Sequence, residues 1–169
     1  MSTKLKNLSS STGGNIPSAE KMRFGIVVSE WNTEITQSLL NGAEATLLRH
    51  GAKQNNIIIH HVPGSFELPM GAQLIAEYKK IDAIICLGCV IQGETRHFEF
   101  ICNAVANGIT RVNLDYNIPV IFGLLTTNDQ QQAIDRSGGK HGNKGDEAAF
   151  TAIKMVDLKN NLKSKSTVE

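Results

Sequence analysis

Long hydrophobic runs are missing from this chain: no apolar stretch approaches the roughly 18 residues that a membrane-spanning helix needs. Aromatic residues are scarce at 5%, against a total hydrophobic share of 41%, which predicts a core built from aliphatic side chains. An excess of one charge is lacking too. The 17 Lys and Arg nearly balance the 16 Asp and Glu, leaving a formal net charge of +1 with no dense basic run, so no nucleic-acid-binding face is expected. The three cysteines, Cys86, Cys89 and Cys102, are odd in number and lie within or beside apolar segments. That pattern predicts buried, reduced thiols in a cytoplasmic protein rather than a disulfide framework. Cys86 and Cys89 form a C-x-x-C, but a strand places such a pair on opposite faces, and no second Cys/His pair completes a metal site. The Ser/Gly/Lys-rich start lacks the continuous apolar stretch of a signal peptide and reads as a flexible tail over 1–22.

What is present is a repeating pattern. Four short runs, Phe24–Ser29, Ile57–Val62, Ala83–Val90 and Val120–Thr126, are almost continuously apolar, as strands covered on both faces should be. Segments with helical spacing separate them. Ile35, Leu39, Ala43 and Leu47 recur every fourth residue and Gly51 follows as a stop. Leu68–Tyr78 is a shorter helix, and Phe98, Ile101, Cys102, Val105, Ile109 and Val112 form a stripe. Asn128 is the expected cap of a short helix ending near Gly138-Gly139, and a last helix is expected from Glu147 to Leu158, with a frayed tail over 159–169. Strand and helix in alternation predict one α/β domain over 23–158: a three-layer flavodoxin-like sandwich with a four-stranded parallel sheet and helices on both faces.

Ligands of open parallel sheets bind beyond the carboxyl ends of the strands. Four segments therefore matter: Glu30–Asn32, Pro63–Glu67, Ile91–His97 and Thr126–Asn128. In the second, Pro63 and Gly64 force a turn, after which Ser65 and Glu67 begin a helix whose unpaired N–H groups can meet a polyhydroxy or anionic ligand. Phe66, at the tip, either folds back into the core or faces a ligand. In the third, Gly93 permits close approach of a ligand to the backbone, Thr95 offers a hydroxyl, and His97 opens the next helix as a proton shuttle or as a mere cap. Trp31 is either a core lid or a stacking platform. Arg136 either complements a helix dipole or grips a phosphate through its fork. Ser137–Gly145 resembles a Walker loop loosely, but the Gly139-to-Lys144 spacing is wrong and Gly145 stands where Ser or Thr is required, which excludes nucleotide hydrolysis.

Taken together, Val62–Pro69 (VPGSFELP), Gly88–Phe98 (GCVIQGETRHF), Pro119–Thr127 (PVIFGLLTT) and Gly142–Gly145 (GNKG) resemble lumazine synthase, from about Arg23 to Leu158. The resemblance implies condensation of 5-amino-6-(D-ribitylamino)uracil with 3,4-dihydroxy-2-butanone 4-phosphate to 6,7-dimethyl-8-ribityllumazine, releasing phosphate and water, with no metal or organic cofactor. It implies that Trp31, where the family more often has Phe, stacks on the pyrimidine. Ser65, Phe66 and Glu67 would hold the ribityl chain, and the backbone of Cys89, Val90 and Ile91 would meet the uracil. Glu94 and Thr95 match the loop that receives the butanone phosphate, the backbone N–H of Glu94 binding while its carboxylate faces away. His97 matches the proton-transfer residue, Phe122 a second aromatic wall, and Arg136 and Lys144 the phosphate clamp. It further implies a homo-oligomer with sites between subunits, either a pentamer or an icosahedral shell of sixty, with riboflavin synthase as a candidate partner. The uninterrupted Arg136–Gly145 segment favours the shell. Competing readings are a flavin or lumazine binder of the same fold, a purely structural shell, and a phosphosugar isomerase or lyase.

Overall fold

A computed structural model describes residues 16–165. Its central sheet has the strand order β2-β1-β3-β4, formed by Phe24–Ser29 (β1), Ile57–Val62 (β2), Ala83–Ile91 (β3) and Val120–Thr127 (β4). Every pairing in it is parallel. The near-continuous apolar runs explain the order. All six residues of β1 and the first seven of β3 are buried, as befits inner strands covered on both sides. At the β2 edge His60 and His61 are exposed.

Alternation along the strands divides the core in two. Phe24, Ile26, Val28, Ile85 and Leu87 point to one face, where α1 (Thr33–Arg49) and α5 (Lys144–Lys165) supply Leu39, Leu47, Ala149 and Ile153. Val27, Ile84 and Cys86 point to the other, against Leu68 and Ile75 of α2 (Leu68–Tyr78) and Val105 and Ile109 of α3 (His97–Asp115). Burying each large aliphatic side chain contributes about 1.5–3 kcal/mol, so the two clusters hold the three layers together. Among the largest fully buried side chains only Phe24 is aromatic, in keeping with the composition. Cys86 and Cys89 fall in opposite clusters.

Several boundaries differ from the sequence-based expectation. The chain joins the core before Arg23: Ala19 and Met22 are buried and the Ala19 N–H donates to the His50 carbonyl at 2.8 Å. The flexible tail expected over 1–22 is thus contradicted for 16–22, and 1–15 lie outside the described residues. At the other end α5 continues through Lys165 rather than fraying at 159, and 166–169 lie outside the described residues. It also begins at Lys144 rather than Glu147, because the Asn143 side-chain oxygen accepts from the Gly145 N–H at 2.8 Å and starts the helix there. The fourth helix, α4 (Gln130–Arg136), is capped by Asp129 rather than Asn128, its carboxylate accepting from Gln132 N–H at 2.8 Å. That helix stops at Arg136, and a small antiparallel hairpin follows, formed by Ser137–Gly139 (β5) and Gly142–Asn143 (β6).

Candidate active site

The carboxyl ends of β1, β2 and β3 open into a cleft of about 440 Å³. Trp31 enters from the turn after β1, Ser65, Phe66 and Glu67 from the turn after β2, Cys89, Val90 and Ile91 from the end of β3, and His97 from the first residue of α3. These eight expected site residues are brought together, and Asn32, Gly64 and Ile101 complete the lining.

Exposure settles two alternatives. Trp31 is 72% exposed and Phe66 58% exposed, so neither is a core lid nor folded back into the interior. Two large rings standing in solvent at the mouth of one cleft are suited to grip a flat ligand. Ser65 to Glu67 form a single 3₁₀ turn leading into α2, with Pro69 in the first turn of that helix, where a missing N–H costs nothing. The Ser65 Oγ is buried and finds no hydrogen-bond partner among the described residues. Burial pushes the Cys89 thiol up to about 11, which keeps it protonated at neutral pH.

His97 is exposed as the first residue of α3, one position after the N-cap Arg96, whose side chain makes no capping hydrogen bond. Its backbone N–H points to the Thr95 hydroxyl at 3.4 Å. Glu94 and Thr95 are exposed in the loop before it and do not line the cleft itself.

Phe122, Arg136 and Lys144 are elsewhere. They line a second groove of about 680 Å³ along the outer edge strand β4, walled by α5 and by Asn113 of α3. Phe122 is 44% exposed there, and the Arg136 guanidinium, held by the Gln132 carbonyl at 3.2 Å, faces the same space. Lys144 is paired with Glu147 at 2.6 Å, one turn on in α5. No residue is common to the two grooves. One has aromatic walls and an imidazole; the other has an aromatic and two cations. Sequence reasoning missed Glu147 in the second groove, for which the i, i+3 spacing to Lys144 is the only signal, and it left Asn32 without a role. Among the described residues no group of three or more His, Cys, Asp or Glu could hold a metal ion, and no helix is long and apolar enough to cross a membrane.

The amino-acid sequence as a whole matches a known family. The sequence profile described as 6,7-dimethyl-8-ribityllumazine synthase matches residues 21–160. A relative of that name from Cytophaga hutchinsonii is 64% identical over 156 residues, spanning 92% of this chain and 98% of the relative. Those from Parabacteroides distasonis and Phocaeicola vulgatus are 56% and 54% identical, the first over 94% of this chain and 99% of the relative, the second over 96% of each. With a profile match over most of its length and relatives of more than half identity, the chain belongs to the 6,7-dimethyl-8-ribityllumazine synthase family.

Proposed function

We propose that this chain condenses 5-amino-6-(D-ribitylamino)uracil with 3,4-dihydroxy-2-butanone 4-phosphate to 6,7-dimethyl-8-ribityllumazine, releasing phosphate and water. The observation that carries the reading is the cleft in which Trp31, Phe66 and His97 converge at the carboxyl edge of the sheet. In this assignment the pyrimidine stacks on Trp31 and meets the backbone edge of Cys89, Val90 and Ile91. Its ribityl hydroxyls meet Ser65, Glu67 and the N–H groups of the turn that begins α2. The butanone phosphate lies at the Glu94-Thr95 loop, whose backbone can approach an anion closely. The aryl amine then condenses with the ketone with loss of one water, phosphate is eliminated, and the ribityl-bearing nitrogen closes the ring with loss of a second water. Each of these steps moves protons, which is the work of His97.

The remaining catalytic parts come from a second copy of the chain. The cleft contains no cation for a phosphate dianion, whereas the β4 groove presents Arg136 and Lys144 beside Phe122. The two grooves complement each other, and a head-to-tail contact repeated around a ring joins the cleft of one subunit to the β4 groove of the next. That supports a closed ring as the working unit, for which the family resemblance implies five subunits, with sixty-subunit shells of twelve pentamers as the higher assembly.

The test is direct. Purified protein is incubated with both substrates while lumazine absorbance and phosphate release are followed. Product should appear with equimolar phosphate and only when the uracil is present. Phosphate release without the uracil would point to a lyase, and binding of lumazine by folded protein without turnover would point to a carrier.

A further inference from the structure

We propose that Asn32 is a positioning residue for the pyrimidine substrate, an inference that rests on the function assigned above. It fixes the gap between the Trp31 ring and the backbone of β3.

The β1–β3 ladder ends at the Val28–Leu87 pair, since beyond Ser29 the chain turns away and the Glu30 N–H goes to the Val62 carbonyl at 2.8 Å. The Cys89 carbonyl thereby loses its strand partner. The Asn32 amide takes that place, its Nδ2 donating to the Cys89 oxygen at 3.0 Å across 57 positions of sequence. Asn32 adopts the left-handed conformation (φ 60, ψ 48), one of only two non-glycine residues with positive φ among the described residues. Asn tolerates this region better than other side chains do. The same residue anchors α1 through its own carbonyl, which accepts from the Ile35 and Thr36 N–H groups at 2.9 and 3.1 Å.

Trp31 is thus mounted on both sides. The Ser29 hydroxyl donates to the Trp31 carbonyl at 3.2 Å, and the next residue is pinned to β3. The backbone of Trp31 is held while its ring stands in solvent at the cleft mouth. Cys89, the acceptor of the clamp, opens the Cys89–Ile91 wall assigned to the uracil edge. One hydrogen bond therefore ties the stacking platform to the polar edge that reads the same flat heteroaromatic ring, and sets the distance between them.

Two substitutions separate the amide from the backbone geometry. Asn32→Gly keeps the left-handed conformation and deletes the amide. Asn32→Asp keeps shape and conformational tolerance but turns an acceptor toward the Cys89 oxygen. Because the chain has a single Trp, intrinsic fluorescence anisotropy decay reports Trp31 alone. Both variants should fold and assemble as wild type does, show faster Trp31 motion, and raise KM for the pyrimidine. The rise should be roughly tenfold for Gly, the size expected for one lost hydrogen bond at a buried carbonyl, and larger for Asp. The rise should exceed any change in KM for the butanone phosphate. Wild-type anisotropy together with wild-type pyrimidine KM in Asn32→Gly would overturn the proposal. So would equal changes in both KM values and in kcat, which mark a merely structural role. If the wild-type protein makes no lumazine, the functional reading falls by itself, and Trp31 anisotropy with the pyrimidine bound alone still decides the clamp.

Discussion

Gly88 and Gly93 bracket the segment that leads from β3 into the loop before α3, and their surroundings predict opposite behaviour on substitution by Ala. A Cβ at Gly88 would lie 2.7 Å from Leu124 Cδ1, 2.8 Å from Ser65 Oγ and 2.9 Å from Leu68 Cδ1. All three are side-chain atoms, so the neighbours can give way, but the turn that carries Ser65, Phe66 and Glu67 must give way with them. Overpacking of this kind costs about 1–3 kcal/mol. At about 2–4 °C per kcal/mol for a chain of this size, the melting midpoint should fall by roughly 2–12 °C. A Cβ at Gly93 meets nothing within 4 Å, and its φ is not in the left-handed region. Gly93→Ala should therefore leave stability within about 0.5 kcal/mol of wild type. If the loop receives phosphate through its backbone, the methyl group stands where the anion must approach, and a charge-assisted hydrogen bond of about 1.5–3 kcal/mol is weakened. KM for the butanone phosphate should then rise by roughly ten- to a hundredfold, with the pyrimidine KM less affected. Calorimetry and initial-rate kinetics on the two variants provide the comparison. A Gly93→Ala enzyme with wild-type phosphate affinity would refute the assignment of this loop, and a Gly88→Ala protein as stable as wild type would refute the packing argument.

His97→Ala should slow turnover by about 10²–10⁴-fold without abolishing it, because holding two substrates in register supplies much of the remaining acceleration; single-turnover kinetics with complete loss in a folded variant would contradict this. Arg136→Lys should keep the charge yet lose the two-pronged grip, raising KM for the butanone phosphate while leaving pyrimidine binding by calorimetry little changed; an unaltered KM would count against the clamp. Burial pushes the thiols of Cys86 and Cys89 up to about 12 and about 11, whereas Cys102 is only partly buried. At pH 8 a thiol reagent should therefore label at most one cysteine quickly in the native protein and all three after denaturation; two fast native thiols would be the wrong result.

The strands were legible because burial on both faces demands nearly unbroken apolar runs, and β1 and β3 carry them. Helices α1 to α3 were legible through their stripes. The last helix was legible only where its apolar face persists: beyond Leu158 the segment Lys159–Lys165 is polar apart from Leu162, so periodicity ceased before the helix did. The β5–β6 hairpin is five residues, three of them Gly, and it is held from outside by the Asn143 amide donating to the Ser38 carbonyl at 2.9 Å. No local pattern encodes that contact. For the site, strand-end logic located Trp31, Ser65–Glu67 and His97, since each follows a strand directly. Phe122 and Lys144 entered only through family resemblance, and Arg136 was read from its position either as a helix-dipole partner or as a phosphate grip, because a groove on the far edge strand has no sequence mark linking it to the cleft. Asn32 escaped because its work is a tertiary hydrogen bond to Cys89, which no spacing announces.

The central claim is that one chain carries two half-sites that meet only between copies. Complementation tests it most directly. His97→Ala and Arg136→Ala proteins, each of low activity, are unfolded together in equal amounts and reassembled, and mixed rings are verified by mass. Random placement around a head-to-tail ring leaves about one quarter of the contacts with an intact His97 facing an intact Arg136. Activity should recover to roughly that fraction of wild type. If both residues served a site within one chain, every site in the mixed rings would stay damaged, and activity no higher than that of the parents would contradict the account.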